Sequence, residues 1–330
     1  MNAGTNTKNQ YIAACLLVIL QSVVYGFGDP ISKVAYETVP VFSLLTARYF
    51  IAFLFLCLLC RGTLITNLKS TETKVWMLPS LCIAGCYTAG NIALKYSAAT
   101  SVAFLRSLST LMTPLLLFLL YGKKIRRNQM IILAVVIAGM YLLCGHGGLS
   151  GFGIGEIWSL TAALLMAGAL IFGQQAMEKM DALALTAVQA GMSAVVACLC
   201  ALFFDHGIRL AAADFSIWLI ILYLAVACTA AGYLLQNMAL RHISPKAVAL
   251  LQCACPVLTA VFSFIILHEK LTTAGILGAG IILFGIVAEI LQGEKTPAGG
   301  RRRTGPGDVN SQSKFHRRKG VEITMRNNGS

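Results

Sequence analysis

The segment from Asn237 to Gly285 repeats the segment from Asn91 to Gly139. A shift of 146 positions, with no gap, lays Asn91-Ile-Ala-Leu-Lys95 on Asn237-Met-Ala-Leu-Arg241. It also lays Cys82 on Cys228, Tyr87 on Tyr233, Val102-Ala103 on Val248-Ala249, Leu105 on Leu251, Thr113 on Thr259 and Lys124 on Lys270. Self-similarity of this length dictates architecture before any single motif does: the chain is two related units that must pack against each other.

The solvent of those units follows from composition. Apolar residues make up 57% of the 330-residue chain and charged residues only 12%, a balance that a soluble domain of this length could not carry on its surface. A polytopic membrane protein is the consequence. The 11 cysteines all fall inside apolar runs. The spacings Cys57-x-x-Cys60 and Cys82-x-x-x-Cys86 lack a paired His/Cys cluster, so packing as small hydrophobes is favoured over a zinc or redox site.

Ten apolar stretches can be drawn, each near the roughly 20 residues a membrane-crossing helix needs. They run approximately Tyr11 to Gly28, Val41 to Cys60, Val75 to Lys95, Ser101 to Tyr121, Met130 to Cys144, Ile154 to Gly173, Leu183 to Phe204, Ile217 to Leu240, Ala247 to Leu267 and Thr273 to Leu291. Pro114 and Pro256 permit bends in the fourth and ninth. The first is not a convincing cleaved leader. The net charge of +13 is informative through its distribution. With a cytosolic N-terminus, the inner segments hold Lys8, Arg61, Lys69, Lys74, Lys123, Lys124, Arg126, Arg127, Lys179, Arg241 and Lys246. The outer ones hold only Lys33, Lys95, Arg209 and Lys270. That bias predicts both termini inside. Five spans per unit then force the two units into opposite orientations, the inverted-topology repeat of many secondary transporters. The expected fold is therefore all-α, with ten transmembrane helices in two five-helix inverted repeats: a cytosolic N-terminus (1–10), a first repeat (11–146), a second repeat (154–291) and a basic tail (292–330). Trp76, Trp158 and Trp218 fall near span starts, as headgroup-level anchors would. The tail is polar, Gly-rich and basic, and cannot bury enough apolar surface to order itself. Its Arg301-Arg302-Arg303 and Arg317-Arg318-Lys319 clusters are either simply solvated or touch the anionic inner leaflet.

Val24-Tyr25-Gly26-Phe27 followed by Lys33, Pro40 and Arg48, together with SPKAVALLQCACPVLTAVFSFIILHEKLT (Ser244 to Thr272) and its Gly-rich follower, resembles the drug/metabolite transporter superfamily, specifically its EamA-type families. The likeness covers roughly residues 11 to 291. Pro256 and His268-Glu269-Lys270-Leu271 stand where that family has them, whereas Lys123 replaces the usual Glu and Thr110 aligns with Pro256, the first-half proline lying one turn later at Pro114. The departures bear on the conformation of span four. The resemblance implies a ten-span transporter moving small organic metabolites through a central cavity by alternating access, with export as the expected direction.

Ionisable and polar groups inside spans are costly, and by default they face a cavity or one another. Asp29, in Gly26-Phe27-Gly28-Asp29-Pro30, reads either as a proton- or cation-sensitive carboxylate in a broken helix or as a solvated or capping residue at the outer end of span one, the latter favoured. Tyr87 and Asn91 share one face of span three, and Tyr233 and Asn237 the equivalent face of span eight. They suit a pseudo-symmetric polar cavity or, equally, hydrogen bonds that glue helices. Arg106, aligned with Gln252, could clamp a substrate carboxylate, snorkel outward, or pair with an acid such as Asp29. Arg48 carries the same alternatives, an internal ion pair being favoured. Gln174, Gln175 and Gln189 read as packing or boundary residues, Glu156 and Glu269 as caps or loop structure near the outer boundary, Glu289 as interfacial and Lys33 as a helix-end charge. Ala274, Gly275, Gly278, Gly280 and Gly285 permit close helix approach within the bundle, or a homodimer contact.

No enzyme signature is present. The five histidines are dispersed, with no nucleophile–base pairing or metal-ligand spacing, and Gly275-x-x-Gly278-x-Gly280 lies inside an apolar helix and not in a phosphate loop. No charge ring or filter loop marks a channel. No cofactor and no nucleic acid are expected; the partners are a small-molecule substrate and the lipid of a cytoplasmic (inner) membrane. The reading is a secondary transporter of small metabolites, amino acids or related amphipathic compounds, with spans one, three, four, six, eight and nine around the site. A non-transport scaffold or lipid-interacting protein of the same bundle is the alternative.

Overall fold

The computed structural model describes residues 2–60, 62–122, 127–144, 153–268 and 273–295. Among them every regular element is helical: α1 (Asn2–Ala35), α2 (Val41–Cys60), α3 (Thr63–Ser70), α4 (Thr73–Tyr96), α5 (Ala99–Ser107), α6 (Ser109–Tyr121), α7 (Arg127–Cys144), α8 (Ile154–Met177), α9 (Ala182–Phe204), α10 (Phe215–Tyr223), a π-helical segment (Leu224–Ala231), α11 (Gly232–Leu240), α12 (Pro245–Leu251), α13 (Ala254–Ile266) and α14 (Thr273–Lys295). Arg61, Lys123, Lys124, Arg126, His146, Glu269, Lys270, and the tail beyond 295 with its two basic clusters and His316, lie outside the described residues.

Among the described residues, nine helical stretches are long and apolar enough to cross a bilayer. The expected fifth span differs. Its apolar part in α7, Met130–Leu142, rises only about 20 Å at 1.5 Å per residue, short of the roughly 30 Å hydrocarbon core. Large apolar side chains such as Leu58, Leu119, Phe203, Leu277 and Phe284 face outward, while Gln21, Ser43, Asn91, Thr113, Gln189, Gln236 and Asn237 are buried. Lipid solvates the former at no cost, and the latter must find partners inside the bundle. Trp158 and Trp218 are exposed near the starts of α8 and α10, and Trp76 is partly buried near the start of α4.

Helix contacts are symmetric under exchange of the two halves. α4 packs on α8 as α1 does on α11, and α4 on α9 as α2 does on the π segment; α5 and α6 meet α8 as α12 and α13 meet α1. The pairs α2–α9 and α7–α14 map onto themselves, and α5–α13 maps onto α12–α6. Gly278 and Gly285 of the last span serve the α7–α14 seam: a Cβ on Gly139 would lie 2.9 Å from the Gly278 carbonyl oxygen and 2.9 Å from Ile281 Cγ2, and a Cβ on Gly285 would collide with Val136. Gly139 and Gly285 are repeat equivalents, so the same close approach is built from both sides.

Three spans are interrupted at places that matter below. Span four breaks at Leu108 (φ −63°, ψ −8°) and span nine at Cys253 (φ −65°, ψ −9°), nearly equivalent points of the repeat. In span nine, Cys253 N–H turns back to Leu250 and Cys255 N–H to Gln252, because Pro256 has no N–H to continue the i→i−4 ladder to Gln252. The hydroxyl of Thr110, which occupies the repeat position of Pro256, donates across to the Ala249 carbonyl at 2.7 Å. Span eight is relaxed by its π segment, where Thr229 Oγ1 donates to Leu224 O, five residues back, at 3.0 Å.

Span one departs from expectation in the opposite sense. The Gly26-to-Pro30 stretch does not break α1, which runs on to Ala35. Gly26 lets α1 touch α13, since a Cβ there would sit 2.5 Å from Leu258 Cβ. The carbonyl of Gly28 receives the Ser32 hydroxyl at 2.7 Å. Asp29 therefore sits within a helix and is buried, neither capping nor solvated at its end, because packing against α13 holds the helix together past two glycines and a proline.

Candidate functional site

The α5–α6 break leaves Arg106 at the end of α5, in the last turn, where a cation complements the free carbonyls. Its Nη2 meets Asp29 Oδ2 of α1 at 2.5 Å, with both side chains 12% exposed. This is the internal pairing among the alternatives for Arg106, and it joins span four to span one. Arg106 Nη2 also lies 3.9 Å from Cys255 Sγ of α13.

Beside the pair is a cavity of about 30 Å³ lined by Ser22, Tyr25, Tyr87, Ala103, Arg106, Ser107, Ser109, Met166, Gln252 and Cys255. That volume holds about two waters. Spans one, three, four, six and nine contribute, so both halves of the chain reach it. Of the residues singled out from the sequence, Tyr87, Arg106 and Gln252 line it and Asp29 reaches it through Arg106. Tyr233 stands one layer behind, its ring stacked on Tyr87 at 5.1 Å between centroids and 25° between planes. Tyr25 also packs against the Tyr87 ring, at 5.6 Å between centroids, making a row of three phenols from α1, α4 and α11. The hydroxyls of all three are buried without a hydrogen-bond partner among the described residues.

The two asparagines turn elsewhere. Asn91 donates to the Tyr87 carbonyl at 2.7 Å and accepts from Tyr36 Oη; Asn237 donates to Thr186 Oγ1 at 3.0 Å and Gln189 Oε1 at 2.8 Å on α9. Both tie helices together. Arg48 is not in an ion pair among the described residues: its Nε donates to Thr229 Oγ1 at 2.8 Å. At the boundaries, Glu156 accepts from Gly153 N–H and the Ser97 hydroxyl, Gln175 donates to Tyr121 Oη and Gln174 to the Ile243 carbonyl. Lys33 donates to the Ser97 carbonyl. Glu289 is buried in α14.

Sequence reasoning missed a triad of carboxamides. Gln252 Nε2 donates to Gln236 Oε1 at 2.9 Å and to Gln21 Oε1 at 3.2 Å, and Gln21 Nε2 donates to Gln236 Oε1 at 3.1 Å. The three come from span one, span eight and the break in span nine. Periodicity held the signal: Gln21, Tyr25 and Asp29 recur every four residues along one face of span one, ending on the carboxylate that pairs with Arg106.

An all-helical bundle of apolar spans, with costly charges and amides gathered inside it around a small polar cavity, defines a multi-pass membrane protein. The EamA-like transporter family model matches residues 12–145 and 153–289, one copy per half. The chain belongs to that family, a branch of the drug/metabolite transporter superfamily. An uncharacterized transporter of Archaeoglobus fulgidus is 24% identical over 274 residues, covering 83% of this chain and 84% of that one. One solved crystal structure shares the fold, with a TM-score of 0.68 at 18% identity over 91% of this chain and 99% of the other.

Proposed function

We propose that this membrane transporter is a secondary transporter of small organic metabolites, amino acids or related amphipathic compounds, working by alternating access in a cytoplasmic membrane. The observation that carries the reading is the Arg106–Asp29 pair beside a cavity shared by both halves. A zwitterion is the solute that such a pair can exchange for: its carboxylate takes the guanidinium fork of Arg106, and its ammonium takes the carboxylate of Asp29. The serines and Gln252 supply further polar contacts, and the tyrosine faces take an apolar side chain. At about 30 Å³ the cavity is too small for such a solute, so admitting one needs it to widen, as a rocking of the two halves would do. The exchange-symmetric contacts support an inverted repeat rocking about this centre. Export is the direction the family suggests.

The test is saturable uptake of labelled amino acids into proteoliposomes. Arg106→Gln should weaken amino acids far more than their neutral carboxamide or ester analogues, and equal losses for both would remove the clamp. Comparing flux against pH for the native chain and Asp29→Asn tests coupling, since superimposable profiles would take Asp29 out of it. No saturable flux across a broad metabolite panel would favour the alternative, a scaffold or lipid-interacting protein that keeps the bundle.

A further inference from the structure

Behind the tyrosine row lies a second polar centre that the reading above does not use. Arg48 of α2 is buried at 4% exposure, and no carboxylate lies within ion-pair distance of it among the described residues, Asp29 being engaged by Arg106. Glu289, the other buried acid, belongs to α14, which packs on α7, α1, α12 and α13. Among the described residues Arg48 makes one hydrogen bond, from Nε to Thr229 Oγ1, and the hydroxyl of Thr229 already donates to Leu224 O in the π segment. π-Helical turns inside spans are characteristic of functional positions, and this one turns Thr229 toward the guanidinium. The guanidinium carbon of Arg48 lies 5.3 Å from the centroid of the Tyr49 ring, and the hydroxyls of Tyr49 and Tyr233 are both buried with no hydrogen-bond partner among the described residues.

A guanidinium in the interior of a membrane bundle without a counter-charge is costly, and each buried orphan hydroxyl adds to the cost. One kind of ligand relieves all three at once: an anion with two acceptor oxygens. We infer that Arg48, Tyr49 and Tyr233 form a binding station for the carboxylate of a small organic anion, separated from the Arg106 cavity by the Tyr25–Tyr87–Tyr233 row. The division of labour follows from charge. The Arg106–Asp29 centre is neutral as a pair and suits a zwitterion, whereas the Arg48 centre carries one uncompensated positive charge and suits a net anion. A carboxylate without an ammonium has nothing to offer Asp29, so it does not open the pair.

Benzoate is a suitable probe because its neutral analogue benzamide has the same shape. Full-length protein purified in detergent is melted with sodium benzoate, benzamide or sodium chloride at matched ionic strength. Benzoate should raise the melting temperature while benzamide and chloride do not. The benzoate response should persist in the Asp29→Asn/Arg106→Gln double variant. It should need about tenfold more benzoate, or greater, in the Tyr49→Phe/Tyr233→Phe double variant, which removes two hydroxyl donors to a charged acceptor and keeps both rings. Arg48→Lys, which keeps the charge and loses the fork, should weaken the response similarly. A benzoate response lost in the Asn/Gln variant and intact in the Phe pair would place the carboxylate on Arg106 and overturn the inference. So would an equal response to chloride, or none to benzoate. The readout is binding, so a failure to detect flux would bear on the transport reading alone.

Discussion

At the scale of single residues, the Asp29–Arg106 contact is an ion pair held inside the bundle. The two groups come from spans far apart in sequence, and neither is tolerable alone in the interior. Asp29→Ala is expected to destabilise the protein by about 3–5 kcal/mol, because it leaves a guanidinium buried and uncompensated. Replacing both partners with apolar residues, Asp29→Leu with Arg106→Met, should recover most of that loss in thermal melts. If the single and double variants melt together, the pair contributes no structural energy. The same scale explains what sequence reading could and could not name. Arg106, Tyr87 and Gln252 were recognisable because a polar group deep in an apolar run must face inward. Which of them face the cavity was not recognisable, since Asn91 and Asn237 satisfy the same rule by bonding Tyr36, Thr186 and Gln189 instead. Gln21 and Gln236 escaped because a lone carboxamide in an apolar span looks like helix glue until its partners are in place.

At the scale of the helix, breaks fall where backbone groups can be satisfied and not simply where a helix breaker stands. α1 carries two glycines and Pro30 without interruption, while span four breaks at Leu108, ahead of Pro114. The compensation in the second case is Thr110, whose hydroxyl serves the Ala249 carbonyl of the opposite break. Thr110→Val keeps the shape and removes that donor, so it should cost about 1–3 kcal/mol, whereas Thr113→Val, whose hydroxyl bonds only the Ser109 carbonyl of its own helix, should cost less. Hydrogen exchange at the two breaks, compared between these variants, checks the difference. The α7–α14 seam is a matter of backbone approach. Gly139→Val would drive a side chain into the Gly278 carbonyl and Ile281, and is expected to lower the melting temperature by more than Gly280→Val, since a Cβ at Gly280 meets nothing within 4 Å.

At the scale of the whole molecule, the proposed inverted arrangement makes a sharp topological prediction. Single cysteines placed at Gly122 and at His268, in a chain whose native cysteines are replaced, should react with a membrane-impermeant maleimide from opposite sides of the bilayer. Reaction from the same side would rule out opposed halves and the shared central site with them. The apolar runs, the 146-position repeat and the Lys/Arg bias were legible in the linear chain because each is a local or additive property: hydropathy over a window, residue identity at a fixed shift, charge per loop. From these alone follow a membrane bundle, two related units and the interior placement of the ionisable groups. Only the folded structure could decide that Asp29 meets Arg106, that Arg48 meets a threonine and not a carboxylate, that three tyrosines from three spans form one row, and that α1 continues past Pro30. Each of these is settled by which helix faces which across the bundle, and side chains with several equally allowed partners take the one that interhelical packing brings within bonding distance.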